Sequence, residues 1–295
     1  MTDAATERIQ VRPAAGDADL AAITRIARAT GQEEDFEMVF PAYLRHLTDH
    51  GRLVVAERSS GVAGYGATLR IGAGPGEICM LTDLFVDPRA HGAGVGQAVL
   101  SELWQDQPRR ITFASLHAHA LPLYTRFGLD AWWPLLYVGG DVRALRTPPG
   151  WSVEAAGPGR VAALELSWTG IDRSAEHRFW AAWPAGTGLV ASLHGQPVAA
   201  GTAGGAPIEY GICHLAIAPD PDPAADPDRV RDAVLAVLSS LQPAGGRARV
   251  CLPAPHPAVR ALLAAGWRVS EFDLHMSTEF GLLDARRAVL SPGLA

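Results

Sequence analysis

Lysine and asparagine are both absent from this 295-residue chain, whose 25 basic residues are therefore all arginine. Without lysine there can be no pyridoxal Schiff base and no P-loop, because both need a lysine amine. Cysteine is scarce. The three cysteines, Cys79, Cys213 and Cys251, are widely spaced, which predicts buried thiols rather than a disulfide framework or a zinc site.

Other absences limit the partners of the protein. The chain has no block of basic residues and a net charge of −6, which argues against binding to nucleic acid or to an anionic membrane surface. No apolar run approaches the roughly 18–20 residues of a membrane span, and the first residues, MTDAATERIQVRP, show no secretory signal. We therefore expect a cytoplasmic protein without nucleic-acid or membrane partners, and its oligomeric state stays open.

The chain reads as two similar halves. Strand and helix patterns alternate from residue 9 to about 140, stop at RTPPGW (146–151), and then restart in the same order. The halves correspond at an offset of about 131 residues, so that LFVDP (84–88) falls on LAIAP (215–219). We predict an α/β protein of two tandem domains, residues 1–147 and 148–295.

Three glycines at alternate positions, Gly92, Gly94 and Gly96, stand between a predicted strand (78–86) and a predicted helix. A helix N-terminus has about four unpaired N–H groups and a partial positive charge, and glycine lets an anion approach them closely. The segment therefore predicts a pyrophosphate site made of main-chain donors. The alternatives are a plain flexible loop and a dinucleotide-binding loop. The latter requires G-x-G-x-x-G directly after a strand.

Two blocks carry a family resemblance. LTDLFVDPRAHGAGVGQAVL (81–100) resembles the acetyl-CoA signature of the GCN5-related N-acetyltransferases (GNAT), a strand ending V-x-P followed by R/Q-x-x-G-x-G/A and a helix. Aligned on the Val-Asp-Pro, the Arg/Gln position falls on His91 and the glycines on Gly94 and Gly96. The alternative register, Arg89-x-x-Gly92-x-Gly94, also satisfies the pattern but lies two residues nearer the strand. HAHALPLYTRFGL (117–129) resembles the family block N-x-x-A-x-x-L-Y-x-x-x-G-F, with His117 in place of the asparagine.

The resemblance implies two GNAT-like domains, each with a mixed, splayed central sheet flanked by helices. It implies acetyl-CoA as co-substrate, no metal, and direct attack by the primary amine of a small molecule. It also implies that a set of residues around the glycine loop contacts the cofactor. These are Leu84, Phe85, Val86, His91, Gly92, Ala93, Gly94, Val95, Gly96 and His117.

The resemblance also assigns candidate catalytic residues. Tyr124 matches the family's general acid, with a packing role as the alternative. Asp83 is the candidate for receiving the amine's proton, although a strand-end carboxylate bonded to backbone is an equal alternative. Strand alternation predicts that Thr82 and Asp83 point to opposite faces. The candidate residues for binding the amine are Thr82, Asp83, Glu33, Glu34 and Asp35. For the last three, a solvated helix start is the other interpretation.

The second half lacks both signatures. PDPDPAADPDR replaces the glycine loop, and Leu263 stands where Tyr124 would be, so we predict that this domain has no acyl-CoA site. Two other functions remain open from the sequence. One is a non-enzymatic module that binds or senses acyl-CoA, and the other is acetylation of protein N-termini or lysine side chains.

Overall fold

A computed structural model of the protein describes residues 8–31, 40–205, 210–243 and 245–294. Within these ranges the strands form one mixed sheet. The strands are β1 (Gln10–Pro13), β2 (Arg52–Arg58), β3 (Gly61–Ile71), β4 (Ile78–Val86), β5 (Arg110–Ala114), β6 (Asp130–Asp141), β7 (Trp151–Ala156), β8 (Thr187–Leu193), β9 (Gln196–Gly204), β10 (Gly211–Ile217), β11 (Arg247–Pro253) and β12 (Arg268–Ser277).

Helices cover both faces of this sheet. They are α1 (Gly16–Ala29), α2 (Phe40–His50), α3 (Val95–Leu103), α4 (Ala120–Arg126), α5 (Pro158–Thr169), α6 (Ser174–Ala181), α7 (Asp226–Ser240) and α8 (Pro257–Ala264). None of the helices in the described ranges is both long and apolar enough to cross a membrane. The predicted fold class, a tandem α/β protein with a mixed sheet flanked by helices, is confirmed.

The two halves exchange their last strands. The sheet order is β1-β2-β3-β4-β5-β12-β6-β11-β10-β9-β8-β7, so β12 of the second half lies beside β5 of the first. In return β6 of the first half pairs over Leu135–Asp141 with the whole of β11. The element order of the sequence does not show this exchange, because each half contains a complete set of strands. The boundary between 147 and 148 stays a prediction.

In each half the sheet is splayed between two neighbouring parallel strands, β4 and β5 in the first half and β10 and β11 in the second. β4 and β5 pair only at Cys79↔Arg110, Met80↔Ile111 and Leu81↔Thr112, after which the strands diverge. In the second half β10 and β11 pair only at Gly211↔Arg249. Each half therefore has a gap, bounded on one side by the last residues of β4 or β10.

Glycines on β3 bring α3 against the sheet beside this gap. A Cβ on Gly64 would lie 2.7 Å from Cγ1 of Val95, and one on Gly66 would lie 2.6 Å from Cγ1 of Val99. Both distances are shorter than any real Cβ contact, so the helix sits this close only because side chains are missing. The N-terminus of α3 is thereby placed at the open end of the β4/β5 gap.

The halves also meet through their second helices. The ring of His46 on α2 lies 4.7 Å from that of Phe179 on α6, and His46 Nε2 lies 3.6 Å from a carboxylate oxygen of Glu176. Trp180 is fully buried and belongs to the same apolar cluster as Ile23 of α1. The helix layer over the first half is therefore completed by the second half.

Candidate active site

The glycine loop forms an open helix N-terminus. Gly94 caps α3 in the left-handed conformation (φ 84°), and Gly92 also has a positive φ of 78°, so both positions favour glycine. Hydrogen bonding in the helix begins with Ala98 N to Gly94 O (3.0 Å), which leaves the N–H groups of residues 95–97 without helical partners. A Cβ at Gly92 would meet no atom within 4 Å. This space and these donors are compatible with a pyrophosphate, and the phosphate-binding role of the loop stays a prediction.

Asp87 holds the start of this loop. Its carboxylate accepts Arg89 N (3.0 Å) and pairs with the guanidinium groups of Arg89 (2.8 Å) and of Arg25 on α1 (2.6 Å). These arginines, Arg89 above all, hold the pKa of Asp87 well below its usual range. Asp87 is therefore a structural anion, and Arg89 is directed toward it.

The main chain of β4 alternates between its neighbour and the gap. Asp87 N donates to Ala63 O at the end of β3 (2.8 Å), so by alternation Phe85 also turns its main chain toward β3. Leu84 and Val86 turn theirs toward the gap. The placement is compatible with the predicted pantetheine contacts of Leu84 and Val86, whereas the main chain of Phe85 faces the neighbouring strand.

Three histidines surround the mouth of the gap. His91 Nε2 lies 3.1 Å from Val86 O, and its ring is 5.9 Å from that of His117 and 6.2 Å from that of His119. All three side chains are exposed. The structure thus brings together the two histidines that replace the usual arginine or glutamine and the usual asparagine. No cluster of metal-ligating side chains that could hold an ion occurs within the described ranges.

Tyr124 lies on α4 and is buried, with 7% of its surface exposed. Its ring centroid is 6.2 Å from that of Trp104. Burial raises the pKa of Tyr124, and the negative charges of Asp83 and Asp273 raise it further. The phenol is therefore neutral at physiological pH and can donate a proton or a hydrogen bond to a developing anion.

Asp83 is held by two hydroxyl groups. Tyr43 on α2 donates to Oδ2 at 2.6 Å, and Thr82 Oγ1 lies 2.9 Å from the same oxygen. Burial raises the pKa of Asp83, and the two donors partly offset this effect. The result is a carboxylate that binds a proton more readily than a surface aspartate.

The expectation that Thr82 and Asp83 point to opposite faces is wrong. Ala67 pairs with Asp83 and Thr68 with Leu81, so Thr82 is the extra residue of a β-bulge. A bulge interrupts the alternation of a strand. It turns the hydroxyl of Thr82 to the side of the Asp83 carboxylate, so the two residues of β4 that are predicted to bind substrate lie together.

Two tyrosines of the site have no motif in the sequence. Tyr43 lies 40 residues before Asp83. Tyr65 on β3 stacks on Phe85 at 5.4 Å, and its buried hydroxyl has no hydrogen-bond partner among the described residues. A buried tyrosine hydroxyl normally finds a partner, so Tyr65 is a further polar group available in the site.

Three acidic residues proposed to bind the amine, Glu33, Glu34 and Asp35, lie outside the described residues. Their role stays a prediction.

The second half has different side chains at the matching positions. His214 occupies the place of Asp83, and its Nε2 lies 3.0 Å from Glu165 Oε1. Glu165 also contacts His177 (2.7 Å) and Arg173 (3.0 Å). All four side chains are buried. Leu263, in the place of Tyr124, is 44% exposed. This network satisfies its own charges and offers no free carboxylate.

Comparison with known proteins agrees with this geometry. Residues 49–128 match the family model of the acetyltransferase (GNAT) domain. That range contains the glycine loop, β4, Asp83 and Tyr124. The first half therefore contains a GNAT acetyltransferase domain, and the predicted family is confirmed. Proteins of this family use acetyl-CoA as co-substrate.

Solved structures extend the likeness to both halves. The chain is similar to a candidate acetyltransferase from Pyrococcus horikoshii (TM-score 0.69, 13% identity, 97% of this chain and 96% of that one). It is similar to a GCN5-related N-acetyltransferase from Kribbella flavida (TM-score 0.63, 14% identity, 94% and 72%). It is also similar to a tandem GNAT protein from the clavulanic acid biosynthesis pathway (TM-score 0.58, 12% identity, 94% and 100%). At these identities the likeness establishes the fold alone. No curated protein sequence matches the chain.

Proposed function

We propose that the first half transfers the acetyl group of acetyl-CoA to the primary amine of a small molecule, by direct attack in a ternary complex. The observation that carries this proposal is the position of two complementary groups. Asp83 lies on β4 and Tyr124 on α4, and both elements border one gap, since a Cβ on Gly96 of α3 would lie 3.9 Å from Leu84 of β4 and 3.3 Å from Leu123 of α4. One can accept a proton and the other can donate one.

The residues present fit the cofactor. The N–H groups of residues 95–97 would bind the pyrophosphate, and the gap-facing main chain of Leu84 and Val86 would pair with the pantetheine arm. His91 and His117, at the mouth of the gap, are the side chains that we assign to the cofactor. When bound, acetyl-CoA supplies a thioester whose carbonyl carbon takes the lone pair of the amine and whose thiolate leaves.

Asp83 is assigned to the proton of the amine. A primary amine with a pKa of about 10.4 costs roughly 4–5 kcal/mol to deprotonate at pH 7. Because the pKa of Asp83 is raised, the difference between it and the pKa of the amine is smaller, which favours proton transfer from the amine to the carboxylate. Tyr43 and Thr82 hold the carboxylate in place, so it accepts the proton without first reorganising.

Tyr124 is assigned to the leaving thiolate. A thiol has a pKa of about 8.5 and an ordinary phenol about 10, and burial raises that of Tyr124 further. Full proton transfer is therefore uphill, while a hydrogen bond from the neutral phenol stabilises the thiolate as it forms.

The test is a screen of the purified chain with acetyl-CoA against a library of primary amines. Free thiol release and the mass of the acetylated amine are both recorded. Transfer to small amines supports the proposal. Transfer only to peptide N-termini or lysine side chains would replace it with a protein acetyltransferase. Tight binding of acetyl-CoA without transfer to any amine would replace it with a non-enzymatic module.

A further inference from the structure

The gap of the second half is filled by a later segment of the same chain. Ala218 N donates to Val198 O at β9 (2.7 Å), so alternation turns the main chain of Leu215 and Ile217 away from β9 and toward the gap. There Leu215 N donates to Val289 O at 3.0 Å. By the offset of the duplication, this is the part of β10 that corresponds to the gap-facing end of β4.

An arginine of the segment occupies the other end of the same gap. Arg287 donates to Ile217 O at 2.7 Å and forms an ion pair with Asp226. Asp226 begins α7, as Val95 begins α3 in the first half. The segment therefore lies along the groove that, in the first half, we assign to pantetheine and pyrophosphate.

The segment then crosses from the second half to the first. Its apolar side chains are buried in three separate clusters. Val289 belongs to the core of the second half, Leu290 to the cluster under the middle of the sheet, and Leu294 to the cluster of α1 and α2. Each is at most 4% exposed. Burial this complete at three positions fixes the path of residues 289–294 from the second half to the first.

The far end of the segment reaches the candidate site. Gly293 O lies 3.3 Å from the hydroxyl of Tyr43, which donates to Asp83 at 2.6 Å. A phenol has one proton, and the short distance assigns it to the carboxylate. A Cβ on Gly293 would lie 3.3 Å from the same hydroxyl, so the segment touches the Tyr43 phenol closely enough to limit its movement.

We propose that residues 284–294 are a strap, anchored in the groove of the second half, that positions Tyr43 and through it Asp83 in the first half. The second half then contributes to the reaction by anchoring the strap, although it binds no cofactor itself. Tyr43 is a positioning residue. The inference rests on the proposed function in taking Asp83 as the group that receives the amine's proton.

The first test measures the titration of the Asp83 carboxyl by 13C NMR in the full unliganded chain, so it needs no amine substrate. Among the described residues the groups around this carboxyl are Thr82, Tyr43 and Tyr65, with Tyr124 within reach of its charge. Tyr43→Phe removes a hydrogen-bond donor to the ionised Asp83 carboxylate, so the midpoint pH of the Asp83 titration should rise by about one unit.

Arg287→Gln, which releases the anchor, and Gly293→Val, which displaces the phenol, should raise the midpoint in the same direction. Neither should raise it further in the Tyr43→Phe background. The matched control is Arg286→Gln, since Arg286 is exposed and should leave the midpoint unchanged. If Arg287→Gln and Gly293→Val both keep the wild-type midpoint, the strap does not position Tyr43.

Amide hydrogen exchange tests separately whether Arg287 anchors the strap in the groove of the second half. In Arg287→Gln the Leu215 amide should exchange faster, while the Ala218 amide, bonded within the sheet to Val198, keeps its protection. Unchanged exchange at Leu215 would overturn the anchor.

With an amine substrate, Arg287→Gln should lower kcat/KM for the amine about tenfold without changing the Kd of acetyl-CoA. A loss equal in Arg286→Gln would contradict the positioning role. If the wild-type chain acetylates no amine, the proposed function fails, and the NMR titration still decides whether the strap positions Tyr43.

Discussion

Burial gives single residues of this site their chemistry. Burial raises the pKa of Tyr124 and that of Asp83, so Tyr124 holds its proton more firmly and Asp83 takes one up more readily. Both effects follow from the higher cost of a charge in a low-dielectric environment. These shifts suit the proposed roles, with Tyr124 as the donor and Asp83 as the acceptor of a proton.

Tyr124→Phe should reduce kcat by roughly 10²–10⁴ and leave the Kd of acetyl-CoA nearly unchanged, because only the donor to the leaving thiolate is lost. Steady-state kinetics and calorimetric titration measure the two quantities. Tyr210→Phe, which alters a phenol of the second half, is the control and should keep full activity. Full activity of Tyr124→Phe would leave Tyr124 with a packing role only.

Asp83→Asn should lower activity most at low pH, where neutral amine is scarcest. The substitution should lower activity but should not lower the stability of the fold at pH 7. A carboxyl whose pKa is raised on folding favours the folded state below the unfolded pKa of about 3.9, and this contribution is lost as pH rises through the folded value. At pH 7 the Tm of Asp83→Asn should therefore not fall below that of the wild type. Asp49→Asn, at an exposed helix position, is the control. A parallel loss of activity at every pH would argue against Asp83 as the base.

At the scale of elements, the N-terminus of α3 depends on glycine twice. Glycines on β3 let the helix approach the sheet, and Gly94 caps it with a positive φ. The glycine loop before α3 can be predicted from the sequence, because its three alternate glycines lie within five positions of one another. The bulge at Thr82 is not readable, because it depends on the register between β3 and β4.

Gly94→Glu should abolish binding of acetyl-CoA, because a carboxylate would stand where phosphate is expected. Gly94→Ala has the same strain from a Cβ at positive φ without the charge, so it should lose less affinity. Calorimetry of the two folded variants gives the comparison. Equal affinities for Gly94→Glu and the wild type would exclude the loop as the phosphate site.

At the scale of the whole molecule, the exchange of β6 and β12 makes the halves interdependent. Residues 1–147 alone would leave β5 without its neighbour β12 and β6 without β11. Unpaired apolar strand edges favour aggregation. We expect fragment 1–147 to be insoluble or to unfold without cooperativity, and co-expression with fragment 148–295 to restore a folded, active complex. Circular dichroism melting and amine acetylation measure this. A soluble, active 1–147 fragment would contradict the expectation that each half needs the other in order to fold.

One acetyl-CoA should bind per chain. In the second half the groove contains residues of the strap, Asp226 stands at the helix start, and no glycine loop is present. Calorimetric stoichiometry and a structure soaked with acetyl-CoA measure this, with density expected between β4 and β5. Cofactor density between β10 and β11 would place the active site in the other half.

The tandem arrangement was predictable from the offset between the halves, and the family resemblance supplied the candidates Asp83 and Tyr124, whose roles stay predictions. Most elements and the glycine loop were predictable from the residues alone. Each depends on residues within one helix turn, one strand or one short motif, where spacing alone constrains conformation. The helix positions of Ile23, Ile26 and Ala27 are an example, since their periodicity already marks the buried face.

The strand exchange, the partners of Asp83 and the strap were decided by the tertiary structure. Tyr43 contacts residues 40 and 250 positions away, and nothing in local sequence specifies contacts at such separations. The exchange is equally invisible, because a strand has the same pattern whichever half it pairs with. These features follow from which surfaces are buried together, and burial of this kind is a property of the whole folded chain.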